Sequence, residues 1–261
     1  MSSNIWTRDA LSSNFVSLDT TAWRVVEAQH VVSTMKLVDT LEEQELLEDV
    51  LEETKPPMPP MPEGIHYLLS APFRYSRRNA FPSRFRRSYS ETGVFYAAAS
   101  PEAAIAEIVF YRRLFFAESP TTPIPLNPAE YTAFAVQLQT DKAIDLTRPP
   151  LSEDAKSWTD PEDYSACQIL ADEARAAGIE VIAYTSVRDS LRRLNFAVFS
   201  PVAFAQLSPS SQQTWRIWLR SDGSATAKCD SPKLGLSFES NAFDIVSRLR
   251  AGEAHNSMPG G

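Results

Sequence analysis

Residues 93–113 read GVFYAAASPEAAIAEIVFYRR, and the change of rhythm inside this stretch decides the fold class. Gly93 to Ala98 is a short apolar run of strand type. Ser100 followed by Pro101 is a helix start: the hydroxyl can accept from an otherwise unpaired amide, and proline loses nothing in the first turn, where its N–H would have no partner. Ala104, Ile105, Ile108 and Val109 then recur at helical spacing and carry the helix toward Arg112.

The same alternation continues downstream. Asp160 and Pro161 repeat the start signal, Tyr164, Cys167, Gln168 and Ala171 share a face, and Gly178 is a stop. Residues 181–189, VIAYTSVRD, are a β-rich run that ends in a hydroxyl and an arginine, where a strand would open onto a site. NFAVF at 195–199 reads as a buried strand, and TWRIWLRSDGSATAKCD at 214–230 alternates about Asp222 and Gly223 as a hairpin does. Strands and helices in this order, closed by a hairpin, predict an α+β fold with a mixed sheet rather than a regular doubly wound one. Neither GxGxxG nor a Gly-rich phosphate loop occurs.

Toward the N-terminus, Val25, Ala28, Val32 and Met35 within AWRVVEAQHVVSTMKLV (22–38) predict a helix. A second helix is expected over LEEQELLEDVLEE (41–53), with Leu47, Val50 and Leu51 opposite seven acids. KPPMPPMPE (55–63) carries five prolines and reads as an extended linker. Residues 1–63 are therefore expected to be an acidic helical extension, and 64–261 the main domain.

The net charge of −8 supports that division. Residues 1–63 hold twelve acids against four basic residues, while the remainder balances. Within the balanced part, Arg74, Arg77, Arg78, Arg84, Arg86 and Arg87 fall in fourteen residues, and no acid lies between Gly64 and Ser90, which makes a local anion-attracting patch. At 261 residues and 43% apolar, the chain can bury a substantial core. The opening MSSNIWTRDAL is unlike a secretory signal, and no apolar run reaches the roughly 20 residues of a membrane helix. A cytoplasmic protein without membrane partners is expected. Cys167 and Cys229 lie far apart and His30, His66 and His255 are scattered, so neither a disulfide nor a bound metal is expected.

Glu107 has Ala103, Ala104, Phe110 and Tyr111 as its helical neighbours, so its carboxylate leaves a largely apolar face. Two readings stand: a buried acid satisfied by an arginine, or a catalytic carboxylate placed to stabilise positive charge. Arg84 and Arg86 in SRFRR are either a solvated patch or phosphate-binding forks. Tyr96 is a core aromatic or a site residue. Ser186 has no histidine in a recognisable elbow, which argues against a Ser-His-Asp hydrolase.

Four blocks in order, PFRYSRRNAFPSRFRR, GVFYAAASPEAAIAEIVFYRR, DYSACQILADEARAAGIEVIAYTSVRD and LNFAVFSPVAF, resemble the RES domain family over about residues 66–205. The family pattern of an arginine before an aromatic, a tyrosine ending the next strand, a glutamate eleven residues on and a serine after a later strand falls on Arg84, Tyr96, Glu107 and Ser186. The chain departs from it at 79–83, NAFPS, where the family commonly has a glycine-rich approach.

The resemblance implies a fold like the ADP-ribosyltransferase core and an NAD-degrading toxin partnered by an Xre-type antitoxin, with nucleic acid met only through that antitoxin. NAD is then the substrate, inorganic phosphate a possible co-substrate, and no prosthetic group is needed. It further implies catalytic roles for Arg84, Tyr96, Glu107 and Ser186. Arg74, Arg86 and Arg188 are the accompanying substrate-binding candidates. Protein ADP-ribosylation, a nucleic-acid-binding module built on Arg74 to Arg87, and a homo-oligomeric assembly remain open at this stage.

Overall fold

A computed structural model describes residues 6–28, 38–54, 59–74, 81–119 and 121–239. In chain order these form α1 (Arg8–Ser12), β1 (Val16–Glu27), α2 (Leu41–Thr54), α3 (Tyr67–Arg74), β2 (Phe95–Ala98), α4 (Pro101–Glu118), β3 (Ala129–Asp145), α5 (Ala155–Trp158), α6 (Ser165–Ala176), β4 (Val181–Thr185), β5 (Leu194–Val198), β6 (Ser211–Leu219), β7 (Ala225–Cys229) and β8 (Leu234–Phe238). The mixed α+β class expected from the sequence is what forms.

The strands make one eight-stranded sheet that curls on itself. β3 pairs along one edge with β1, antiparallel from Val16 to Glu27. On its other edge it pairs with β6 and then, in parallel, with β4. β4 continues through β5 to β2, and β2 meets β1 again at Trp23 opposite Ala98, which closes a ring of β1, β2, β5, β4 and β3. β7 and β8 extend the sheet beyond β6.

Every ring strand sends side chains into a common core: Ala22, Phe95, Phe134, Val136, Val181, Ala183, Phe196 and Val198, joined by Leu69 and Phe73 of α3. A second core group packs α1, α5 and α6 through Leu11, Trp158, Leu170 and Ala174 onto Ile144, Ile182 and Tyr184. α4 buries Ala103, Ile105 and Val109 with Tyr131, Trp215 and Ile217. Gly93, just before β2, lies so close to α3 that a Cβ there would come within 2.2 Å of the Pro72 carbonyl oxygen, so only glycine lets helix and strand entry meet.

Two expectations need correction. The helix expected over 22–38 is, up to Glu27, the end of a strand; residues 29–37, including Val32 and Met35, lie outside the described residues. The spacing of Val25 and Ala28 suited a helix, but the β-branched content of Thr20, Thr21, Val25 and Val26 and a whole partner edge on β3 favour the extended form. In consequence residues 6–27 are not an appended helical extension. β1 closes the ring, and Trp6 and Leu11 sit in the core. α2 does form as a helix, while linker residues 55–58 lie outside the described residues, as do Arg77 and Arg78.

Candidate active site

Ser83 and Arg86 exchange backbone hydrogen bonds in both directions, so the chain makes a tight turn with Arg84 and Phe85 at its tip. Phe85 is fully buried edge-on against Tyr184, which anchors the turn and drives the neighbouring guanidinium inward. Arg84 donates to the Trp158 carbonyl at 2.8 Å and lies 4.6 Å over the Tyr164 ring. Arg86 donates to the Phe81 carbonyl. Both arginines are 7% exposed, so this part of the basic run is not a solvated patch.

Tyr96 ties the turn to the sheet. From β2 its hydroxyl accepts from the Phe85 amide at 3.0 Å and shares a hydrogen bond with Ser83 Oγ at 2.9 Å. Burial pushes its phenol pKa up, against the opposing pull of Ser83 and nearby arginines.

α4 begins as its sequence says, with Ser100 Oγ accepting from the Ala103 amide at 3.2 Å. Two turns later Glu107 accepts from Ser186 Oγ at 2.7 Å and from Asn195 Nδ2 at 2.8 Å. Both bonds fall on Oε1, so Oε2 is the oxygen left for a ligand. Burial raises the Glu107 carboxyl pKa above its ordinary value. Ser186, Asn195, Arg188 and Arg84 pull it back only in part.

These groups line one cavity of about 440 Å³, to which Trp23, Arg24, Arg84, Arg86, Tyr96, Glu107, Tyr111, Tyr164, Tyr184, Arg188 and Asn195 contribute. Arg188 is held by the Pro161 carbonyl at 2.6 Å and lies 3.7 Å over the Phe110 ring. Among the described residues, Arg24, Arg84 and Arg188 have no carboxylate within ion-pair distance. A wall with several cations and one carboxylate suits an anionic ligand whose reacting centre turns positive. No group of three or more His, Cys, Asp or Glu side chains among the described residues could hold a metal ion.

Of the residues singled out in the sequence, Arg84, Arg86, Tyr96, Glu107 and Arg188 meet at this cavity. Ser186 does not line it. Its side chain is fully buried, accepts from the Arg188 and Asp189 amides, and spends its one proton on Glu107. It holds the Glu107 carboxylate from behind rather than facing the cavity. Arg74 ends α3 and is not among the lining residues.

Arg24 and Asn195 were not found by sequence reasoning. Arg24 sits between Ala22 and Val26 on the inward side of β1, donates to the Tyr96 carbonyl at 2.8 Å, and lies 5.0 Å over Phe95. Its Nε has no hydrogen-bond partner among the described residues, and burial pushes its pKa down to about 10, opposed only by Tyr96. A lone arginine in a run read as helical carried no signal; read as a strand, WRVV places a charge on an apolar face. Asn195 was within the quoted NFAVF strand, and a polar residue heading an otherwise apolar run was the available clue.

A mixed sheet thus encloses a cavity that gathers one carboxylate and several arginines, an arrangement that favours an anionic ligand. The RES domain model matches residues 61–220, and the chain belongs to that family. No curated protein matches. One solved structure similar to this chain is the crystal structure of the M.tuberculosis MbcT-MbcA toxin-antitoxin complex, at 12% identity, covering 78% of this chain and 89% of that one with a TM-score of 0.48.

Proposed function

We propose that this protein degrades NAD by cleaving the bond between nicotinamide and ribose, as the toxin of a bacterial toxin–antitoxin pair, on a variant of the ADP-ribosyltransferase core. The observation that carries the reading is the Glu107 carboxylate, held on one oxygen by Ser186 and Asn195 in a cavity walled by Arg24, Arg84 and Arg188. Membership of the RES domain family supports it from an independent side.

When the glycosidic bond breaks, nicotinamide leaves with the bonding electron pair and the anomeric carbon becomes oxocarbenium-like. A fixed carboxylate stabilises that charge more in the transition state than in the ground state, where the centre is less positive, and this difference is what accelerates the step. The arginines neutralise the pyrophosphate through charge-assisted hydrogen bonds. Water then attacks to give ADP-ribose and a proton, or inorganic phosphate attacks to give the ribose phosphate ester. Transfer of ADP-ribose to a protein differs only in the acceptor. A nucleic-acid-binding role for Arg74 to Arg87 is disfavoured because Arg84 and Arg86 are buried.

In this reading an Xre-type antitoxin covers the cleft, and the setting is cytoplasmic. Among the described residues no helix is long and apolar enough to cross a membrane. Incubating the pure protein with NAD, with and without inorganic phosphate, and identifying the products by mass spectrometry tests the reading. Intact NAD after prolonged incubation in both conditions defeats it.

A further inference from the structure

α2 is a helix whose outer side the rest of the fold does not account for. Its start is well built: Thr40 Oγ1 accepts from the Glu43 amide at 3.1 Å, and Glu43 Oε2 accepts in return from the Asp39 amide at 2.9 Å, a reciprocal cap. Beyond that cap little holds it. Among the described residues no other helix or strand packs along it, and neither its leucines nor Val50 belong to a core group. Gln44 is buried and Leu47 half-buried, which marks the side turned toward the protein. Leu46 and Val50, one turn apart on the other side, are 64% and 47% exposed.

Charge makes this apolar pair selective. Its neighbours at helical spacing are Glu42, Glu43, Asp49 and Glu53, in a helix that contains seven acids and no basic residue. Among the described residues none of these four carboxylates is ion-paired. Glu53 lies in the last turn, where the helix dipole is negative and a cation is favoured. Aliphatic side chains bordered by acids repel phosphate backbones and anionic lipid, and they repel a second α2 as well. What they fit is an amphipathic helix whose apolar stripe meets Leu46 and Val50 while lysines or arginines on its flanks meet the acids. We infer that α2 is a docking face for a basic amphipathic helical segment of a partner protein. α2 lies outside residues 61–220 matched by the RES domain model, so this surface is separate from the family domain and from NAD cleavage.

The test uses the full chain and a synthetic peptide of leucines and lysines placed at amphipathic helical spacing, compared with a peptide of the same composition in shuffled order. Titration calorimetry should show the patterned peptide binding roughly tenfold or more tightly than the shuffled one, with affinity that falls as salt is raised. Leu46→Ser combined with Val50→Ser should weaken that binding by roughly tenfold or more, because two aliphatic contacts are lost. Asp49→Lys combined with Glu53→Lys should weaken it too and flatten the salt dependence. All four side chains are exposed, so the melting temperature should stay at the wild-type value in both variants. Equal affinity for the two peptides, or binding that neither pair of substitutions changes, overturns the proposal. Self-association of the wild type that the Leu46→Ser, Val50→Ser chain loses in sedimentation also overturns it, by giving the face to a second copy.

Discussion

Replacing Arg24 by methionine should make the protein more stable and less active. The guanidinium lies inside the sheet ring over Phe95, and burial has pushed its pKa down to about 10. For a base, a lowered folded pKa means that the charged form is disfavoured by folding. The cost is present in full at neutral pH and disappears only as pH rises through the folded value. At about 1.4 kcal/mol per unit this amounts to roughly 3 kcal/mol as an upper bound, since part of the side chain still meets the cavity. Methionine fills similar volume but forfeits the bond to the Tyr96 carbonyl, about 1 kcal/mol, and a cation–π contact of about 0.5–1 kcal/mol. A net gain of at most about 1–1.5 kcal/mol remains, which raises the melting temperature by roughly 2–6 °C in a domain of this size. Loss of a charge-assisted contact to substrate phosphate, about 1.5–3 kcal/mol, should cut kcat/KM by roughly 10- to 100-fold. Calorimetric melting and NAD turnover on one preparation measure both. A melting point several degrees lower with unchanged turnover per folded molecule would refute the assignment and make Arg24 a structural residue.

Glu107→Gln should lose on the order of 3–4 kcal/mol of transition-state stabilisation, a hundredfold or more in rate, read as single-turnover NAD cleavage. Because burial raises the Glu107 pKa, ionising it in the folded state is harder than in the unfolded chain, so the acid limb of turnover should lie above pH 4.5. Ser186→Ala, which removes a donor to Glu107, should move that limb further up. The same sign makes stability fall as pH rises through the Glu107 pKa, and Glu107→Gln should abolish that component of a melting-versus-pH curve. Deleting residues 1–63 should leave a chain that does not fold by circular dichroism, since it removes β1 and the buried Leu11; a folded, active remainder would contradict the ring described above.

What the sequence made legible was set by local chemistry. Ser100 and Pro101 announce α4, Gly178 ends the segment after α6, and Asp222 with Gly223 forms the turn between β6 and β7, where Gly223 has a φ of 81° and Asp222 accepts from the Ser224 amide. Each of these signals is written within a few residues. β1 was misread because its extended form is imposed by a partner more than a hundred residues away. β3 was not singled out, although it joins β1, β4 and β6. The site divides the same way. Glu107 and Tyr96 belong to readable elements, whereas Arg24 and Asn195 become cavity residues only when the ring closes, and the inward burial of Ser186 depends on the loop that folds over it.

That ring also fixes when the chain can acquire chemistry during synthesis. Arg24 emerges from the ribosome early, but apart from one register pair with β2 its strand has no edge to join until β3 has been made, and Asn195 arrives later still. Long-range pairing of this kind is slow and cannot be completed piecemeal. A prematurely terminated or partly translated chain therefore carries Glu107 and its arginines without a cavity to hold them. Whatever chemistry the cavity performs therefore begins only after nearly the whole sheet exists.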